Sequence, residues 1–293
     1  MAARQNWGEK LDQITDNEDR QERELRLQHE LSLNYDPVRL SFPDGNLFLH
    51  RCKWWTEDAD RPVVLMIHGA FRRAARLGPL GLLLRKTADV IIVDLPGHGG
   101  SDVFSPASIE GWAKRLSTLV TVSLDSRQVI FVGESLGGLV GIALGGIDRP
   151  RSLKRIVALD PPLTTAKQWP ILNNIFRLRQ KNPSPALKEI IEQIFGVSPT
   201  DELHEKNYYA LIENVQTPLH IVLGSDSMHP MRIVERTPSL VDNVDRYVLK
   251  KIFGDKANMT EIPNTGHLIS EQACGVVANI IMDEIHLMQT PPL

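Results

Sequence analysis

The chain is poor in cysteine: Cys52 and Cys274 are the two in 293 residues. They stand alone, with no CxxC pair and no Cys/His cluster, so neither a disulfide framework nor a zinc site is suggested. Free thiols in a reducing compartment are expected instead. A charge excess is missing too. Lys and Arg total 33 against 36 Asp and Glu, a formal net charge of -3, which offers no electrostatic reason to expect nucleic acid or an acidic membrane as partner. No uninterrupted apolar run approaches the length of a membrane span. The opening ten residues lack the apolar core of a signal peptide. Internal repeats and low-complexity tracts are absent as well. A soluble, cytoplasmic protein is the expectation.

What is present is an ordinary globular composition, 42% hydrophobic and 24% charged, in a chain long enough to bury a large α/β core. The most informative stretch is Val129-Ile130-Phe131-Val132-Gly133-Glu134-Ser135-Leu136-Gly137-Gly138. Its first four residues read as a strand buried on both faces, because such strands lose the polar alternation. Leu139, Val140, Ile142, Ala143, Leu144 and Ile147 then suit a helix. Between the two lies G-x-S-x-G, the form of a nucleophile elbow. A serine on so tight a strand-to-helix turn takes a strained backbone conformation, and side chains two positions before and after it would collide with neighbouring backbone. The helix also aims its free N–H groups and positive dipole end at the serine.

Residues 1–35 differ from the rest. Asp16 to Glu30 is dense in charge, with Leu25, Leu27, Leu31 and Leu33 as the main apolar residues. It reads as an arm outside the main fold, either solvated or serving to dock or dimerise, so a homo-oligomer through the arm is open. Strands are expected at Val38–Phe42 and Asn46–Lys53 around the Pro43-Asp44-Gly45 turn, and at Pro62–Ile67, Asp89–Val93, Val129–Val132, Arg155–Leu159, Leu219–Leu223 and Met259–Ile262. Helices are expected at Pro79–Lys86, at Pro106–Leu124 with Ser105 as N-cap, and at Ser270–Met288. Residues 163–217 carry only helical patterns: Ile171–Arg179, Ala186–Phe195 and Asp201–Glu213. The fold class is therefore α/β, a mostly parallel twisted sheet of about eight strands with helices on both faces. In such sheets sites form at the carboxyl ends of strands. His68-Gly69, Asp94, Ser135, Asp160, Asp226 and His267 all fall there.

Serine is a weak nucleophile until a base takes its proton, and histidine suits that role. A carboxylate must then hold the imidazole tautomer and stabilise the cation that forms. The order Ser135, Asp226, His267 matches the chain order of such a triad in α/β-hydrolases. Together with His68-Gly69, the Asp94-Leu95-Pro96-Gly97-His98-Gly99 turn, the Gly224-to-Pro230 run and Gly266-His267, it makes the chain resemble a capped α/β-hydrolase-fold enzyme from about Val38 to the C-terminus.

The resemblance implies a core of residues 36–162 and 218–293, with residues 163–217 as a helical cap between strands six and seven. It implies Ser135 as nucleophile, His267 as base and then acid, and Asp226 as orienting carboxylate. Asp160 is the competitor, because some relatives place the acid after strand six. Oxyanion donors are implied at the backbone N–H groups of Leu136 and Ala70, with Phe71 less favoured. His68, His98 and Asp94 are expected to shape turns, and Glu134 to give hydrogen-bonding support. Phe71-Arg72-Arg73 follows the oxyanion turn, and Phe71 is a candidate substrate contact; Arg72 or Arg73 either is solvated or binds a substrate carboxylate or phosphate. Trp169, Ile171, Ile175 and Phe176 either pack the cap or line an acyl pocket.

A serine elbow implies acyl transfer to water, where aspartate-elbow relatives such as haloalkane dehalogenases and epoxide hydrolases do other chemistry. The expected substrate is a small carboxylic ester. Thioesters, amides, diketone C–C bonds, transfer to another acceptor, and a non-catalytic binding protein of the same fold stay open. No metal and no organic cofactor is implied.

Overall fold

The structure, a computed structural model, describes residues 20–146, 149–166, 175, 178–179, 182–200, 202–228, 237–253 and 257–289. Eight strands form one sheet in the order β1-β2-β4-β3-β5-β6-β7-β8. They are β1 (Tyr35–Phe42), β2 (Gly45–Cys52), β3 (Val63–Ile67), β4 (Asp89–Val93), β5 (Val129–Glu134), β6 (Leu153–Leu159), β7 (Leu219–Gly224) and β8 (Ala257–Ile262). The β1–β2 hairpin is antiparallel and β2 meets β4 antiparallel, while the pairings from β4 to β8 are parallel.

Every residue of β3, β4 and β5 is buried, which is why those stretches read as apolar runs apart from Asp89 and Glu134 at their ends. Successive side chains feed opposite faces of the sheet. Val63, Leu65, Ile67, Val129 and Phe131 enter a core shared with α3 (Ile109–Ser123) and α4 (Leu136–Gly146). Val64, Met66, Ile130 and Val132 enter a second core on the opposite face, shared with α2 (Gly78–Leu84) and the C-terminal helix α9 (Cys274–Gln289). Each such side chain contributes about 1.5–3 kcal/mol of burial, so the two cores together fix the sheet between layers of helix.

Several boundaries differ from the sequence expectations. The helix α1 (Arg20–Asn34) is no free arm: Leu27 and Leu31 are buried in the second core, and Asn34 runs directly into β1. Their four-residue spacing puts both leucines on one helical face, while Leu25 and Leu33 stay exposed. Residues 1–19 lie outside the described part. Ser108, not Ser105, caps α3, accepting from the Gly111 N–H at 3.0 Å. Ser105 instead donates to Glu189 Oε2 at 2.6 Å, and the Ala107 N–H donates to Oε1 at 2.8 Å, so this loop is spent on docking α5 (Pro185–Gln193).

Between β6 and β7 the described residues carry α5 and the short α6 (Tyr209–Glu213), with bridges Thr164–Asn207 and Val197–Leu203. Those bridges hold residues 203 and 207 extended and so shorten the helix expected from Asp201. The pattern at Ile171–Arg179 falls largely outside the described residues. A helix that sequence reading missed, α7 (Asn243–Phe253), precedes β8. The expected closing helix is broken at Ala273 into α8 (Ile269–Gln272) and α9. Among the described residues no helix is long and apolar enough to cross a membrane.

The docking of α1 is testable. Leu31→Ala should lower the unfolding free energy by about 2 kcal/mol or more, read from urea denaturation. An unchanged midpoint would mean that the helix is a free appendage.

Candidate active site

The turn between β5 and α4 is as tight as the glycine spacing implies. A Cβ on Gly133 would sit 2.2 Å from Gly137 O, and one on Gly137 would sit 2.5 Å from Ile67 O. Neither position tolerates a side chain. Ser135 is held between them at φ 55°, in the left-handed region that a non-glycine residue adopts only at a cost. The Ser135 N–H donates to Leu159 O at 2.8 Å, tying the elbow to the end of β6. Leu136 opens α4, where an N–H has no helical acceptor. Across the elbow, Gly69 packs so closely that a Cβ there would lie 3.0 Å from Ser135 Cβ. The turn after β3 therefore sits directly against the serine.

His267 is brought to this point by the loop after β8. Ser135 Oγ lies 2.9 Å from His267 Nε2, and His267 Nδ1 lies 2.6 Å from Asp160 Oδ2. An ionised carboxylate only accepts, so Nδ1 carries the proton and Nε2 is left to accept from the serine hydroxyl. All three side chains are buried. Asp160 Oδ2 also accepts from the Leu240 N–H at 2.8 Å, and Oδ1 accepts from Ser239 Oγ–H. These donors fix the orientation of the carboxylate.

The expectation for Asp226 is thus corrected, because the carboxylate on the ring is Asp160. Asp160 follows β6, the strand beside β5, and its φ of 45° belongs to a strained turn at the strand end. Asp226 follows β7, one strand further out. There its N–H donates to Thr265 O at 2.9 Å and its carbonyl accepts from the Ser239 N–H at 2.7 Å. It braces the loops that carry Ser239 and His267. Sequence reasoning missed Ser239 and Leu240, which carry no motif and lie about as far along the chain from Asp160 as a small domain is long.

The histidines near the β3 turn behave as expected. His68 Nδ1 meets Gly69 O at 2.7 Å, and Nε2 accepts from the Leu95 N–H at 3.1 Å. His98 Nδ1 donates to Pro96 O at 3.0 Å, and Nε2 accepts from the Phe71 N–H at 2.9 Å. Burial pushes His98 down to about 4, with nearby His68 adding to the fall, so the ring stays neutral and keeps accepting. Asp94 accepts from the Ala74 and Gly100 N–H groups at 2.9 and 3.1 Å. Burial alone would raise its carboxyl, but the contact with His50 at 3.3 Å and the nearby His68 ring hold it well below the usual range. Glu134 Oε1 accepts from the Ser270 N–H at 2.9 Å. Burial pushes the Glu134 carboxyl up, against the opposing charge of Arg72.

Phe71, Arg72 and Arg73, expected to touch substrate, meet different surroundings. Phe71, at φ 60°, stacks on Phe195 with ring centroids 5.3 Å apart. Arg72 is held by Glu271. Arg73 is exposed and lines a groove of about 130 Å³ with Gln28, His50 and Asp94, whose lining includes neither Ser135 nor His267. Ile175 is buried in the first core. Trp169, Ile171 and Phe176 lie outside the described residues. Among the described residues, no group of three or more His, Cys, Asp or Glu side chains could hold a metal ion.

The model of the Alpha/beta hydrolase family matches residues 64–280. A curated relative, the pimeloyl-[acyl-carrier protein] methyl ester esterase of Pectobacterium atrosepticum, is 24% identical over 147 residues, 49% of this chain and 55% of that protein. The chain thus matches only about half of that relative's length. A second, the magnesium-chelatase 30 kDa subunit of Rhodobacter capsulatus, is 25% identical over 280 residues, 78% of this chain and 90% of that protein. Among solved structures, a thioesterase domain from the curacin biosynthetic pathway superposes with a TM-score of 0.58 at 19% identity, covering 85% of this chain and 99% of that one.

The geometry separates the two carboxylates experimentally. Asp160→Asn should slow fluorophosphonate labelling of Ser135 by about 10³–10⁴-fold, as when an orienting acid is lost, while Asp226→Asn should stay within about threefold. The reverse ranking would restore Asp226 as the partner of His267.

Proposed function

Since the chain belongs to the alpha/beta hydrolase family, we propose that it is a serine hydrolase cleaving a carboxylic ester through a covalent acyl-enzyme. The observation that carries this reading is the unbroken run of hydrogen bonds Ser135–His267–Asp160, with Oγ to Nε2 at 2.9 Å and Nδ1 to Oδ2 at 2.6 Å. His267 Nε2 takes the hydroxyl proton as Oγ attacks the carbonyl carbon. The Asp160 carboxylate holds the tautomer and stabilises the imidazolium. The imidazolium returns its proton to the leaving alcohol, and water repeats the sequence on the acyl-enzyme.

The developing oxyanion needs fixed donors. Leu136 N–H stands at the first position of α4, free of a helical acceptor. In the β3 turn the Phe71 N–H is already given to His98, which favours Ala70 as the second donor. Each such donor contributes about 3 kcal/mol to the transition state. His98 and Asp94 then act by shaping that turn. Residues 163–217 serve as a cap in this reading. The Phe71–Phe195 stack joins them to the turn beside Ser135. Arg72 is assigned no substrate role, because Glu271 occupies its guanidinium. A cytoplasmic location belongs to the same proposal, in keeping with two buried free thiols.

A second reading is a small-molecule-binding protein that kept the fold without turnover. It draws on the relative named as a magnesium-chelatase subunit, 90% of which is aligned. Turnover separates the two. A panel of p-nitrophenyl esters of different acyl lengths, with a thioester and a diketone beside them, should give saturable hydrolysis best on an ester. Ser135→Ala should lower that rate by about 10⁶. Background hydrolysis across the whole panel, equal in wild type and Ser135→Ala, would favour the binding protein.

A further inference from the structure

Glu271 lies four residues after His267, on α8, with its side chain 10% exposed. Three guanidinium groups converge on its carboxylate. Arg23 of α1 donates to Oε2 at 2.7 Å, Arg72 donates to Oε1, and Arg76 reaches Oε2 at 3.2 Å. Arg76 also donates to Glu24 of α1 at 2.6 Å. Arg72 is two residues past Ala70, and Arg76 lies in the single turn of helix that follows (Ala74–Leu77).

The neighbours of Glu271 are committed to the same loops. The Ser270 N–H donates to Glu134 beside the nucleophile, and Gln272 Oε1 accepts from the Gly266 N–H at 2.7 Å beside the histidine. One short helix thus meets the histidine loop, the elbow and, through Glu271, the segment after the β3 turn. Charge-assisted pairs removed from water are stiff, and losing one partner strands the others.

We propose that Glu271 is a positioning residue that locks the Ala70 turn to the His267 loop, with α1 closing the clamp from outside through Arg23 and Glu24. The inference rests on the hydrolase reading and extends it: residues 20–34 become part of what holds the reactive geometry. A displacement of about 1 Å between base and oxyanion donors is enough to cost about 10²-fold in rate. The clamp acts on turnover more than on substrate affinity, because it touches no substrate.

The test measures kcat, KM, the rate of Ser135 labelling by a fluorophosphonate, and Tm on the full chain. Glu271→Gln should lower kcat and labelling together by about 10–100-fold with KM within about threefold, and Glu271→Asp should recover part of the loss. Arg23→Ala, on the more exposed side of the network, should show a smaller loss of the same kind and serves if Glu271→Gln does not fold. Glu284→Gln is the control for general destabilisation. It breaks a buried cluster with His220 and Arg155 near the amino ends of β6 and β7, and should lower Tm while kcat stays within about twofold. Wild-type labelling with no change of kcat or labelling rate in Glu271→Gln and Arg23→Ala would overturn the clamp alone. No labelling of the wild-type chain would overturn the hydrolase reading, and the clamp with it.

Discussion

The hydrogen bond from His267 Nδ1 to Asp160 is the contact on which the site depends. It selects the one ring tautomer that leaves Nε2 able to accept from Ser135. Without it the serine faces a ring whose tautomer no carboxylate holds. Asp160 is prepared for this task by Ser239 and Leu240 on its other lone pairs, so a buried carboxylate is compensated on every side. A buried charge is tolerated only when compensated in this way.

That contact in turn requires the sheet. Ser135 and Asp160 stand at the ends of adjacent strands, and the Ser135 N–H bonds to Leu159 O, the residue before Asp160. Burial of β5 on both faces fixes the strand in depth, and the contact of Gly137 with Ile67 O fixes the turn in height. Backbone strain collects around the Ser135–His267–Asp160 hydrogen bonds: Ser135, Asp160 and Phe71 all take positive φ. The surrounding cores over-determine these conformations.

Much of this was legible in the residues themselves. All eight strands were readable because the parallel strands are rich in apolar residues and the edge hairpin carries a Pro-Asp-Gly turn. Ser135 and His267 were readable because close packing demands glycine beside them. Asp160 was ambiguous for a physical reason. An aspartate after a strand looks the same whether its side chain meets a histidine or a neighbouring loop, and the donors that decide it come from Ser239 and Leu240. The docking of α1 was hidden by average polarity: two buried leucines among many charges suffice to seat a helix, and the charges themselves find partners in Arg76 and Glu271.

The central claim is that Ser135 carries the acyl group between two half-reactions. Acid quenching during turnover of a p-nitrophenyl ester, followed by intact-mass and peptide analysis, tests it most directly. The account requires a mass gain equal to the acyl group, confined to the peptide containing Ser135 and absent from Ser135→Ala. Steady turnover with an unmodified protein, or with the acyl group on another residue, would contradict it.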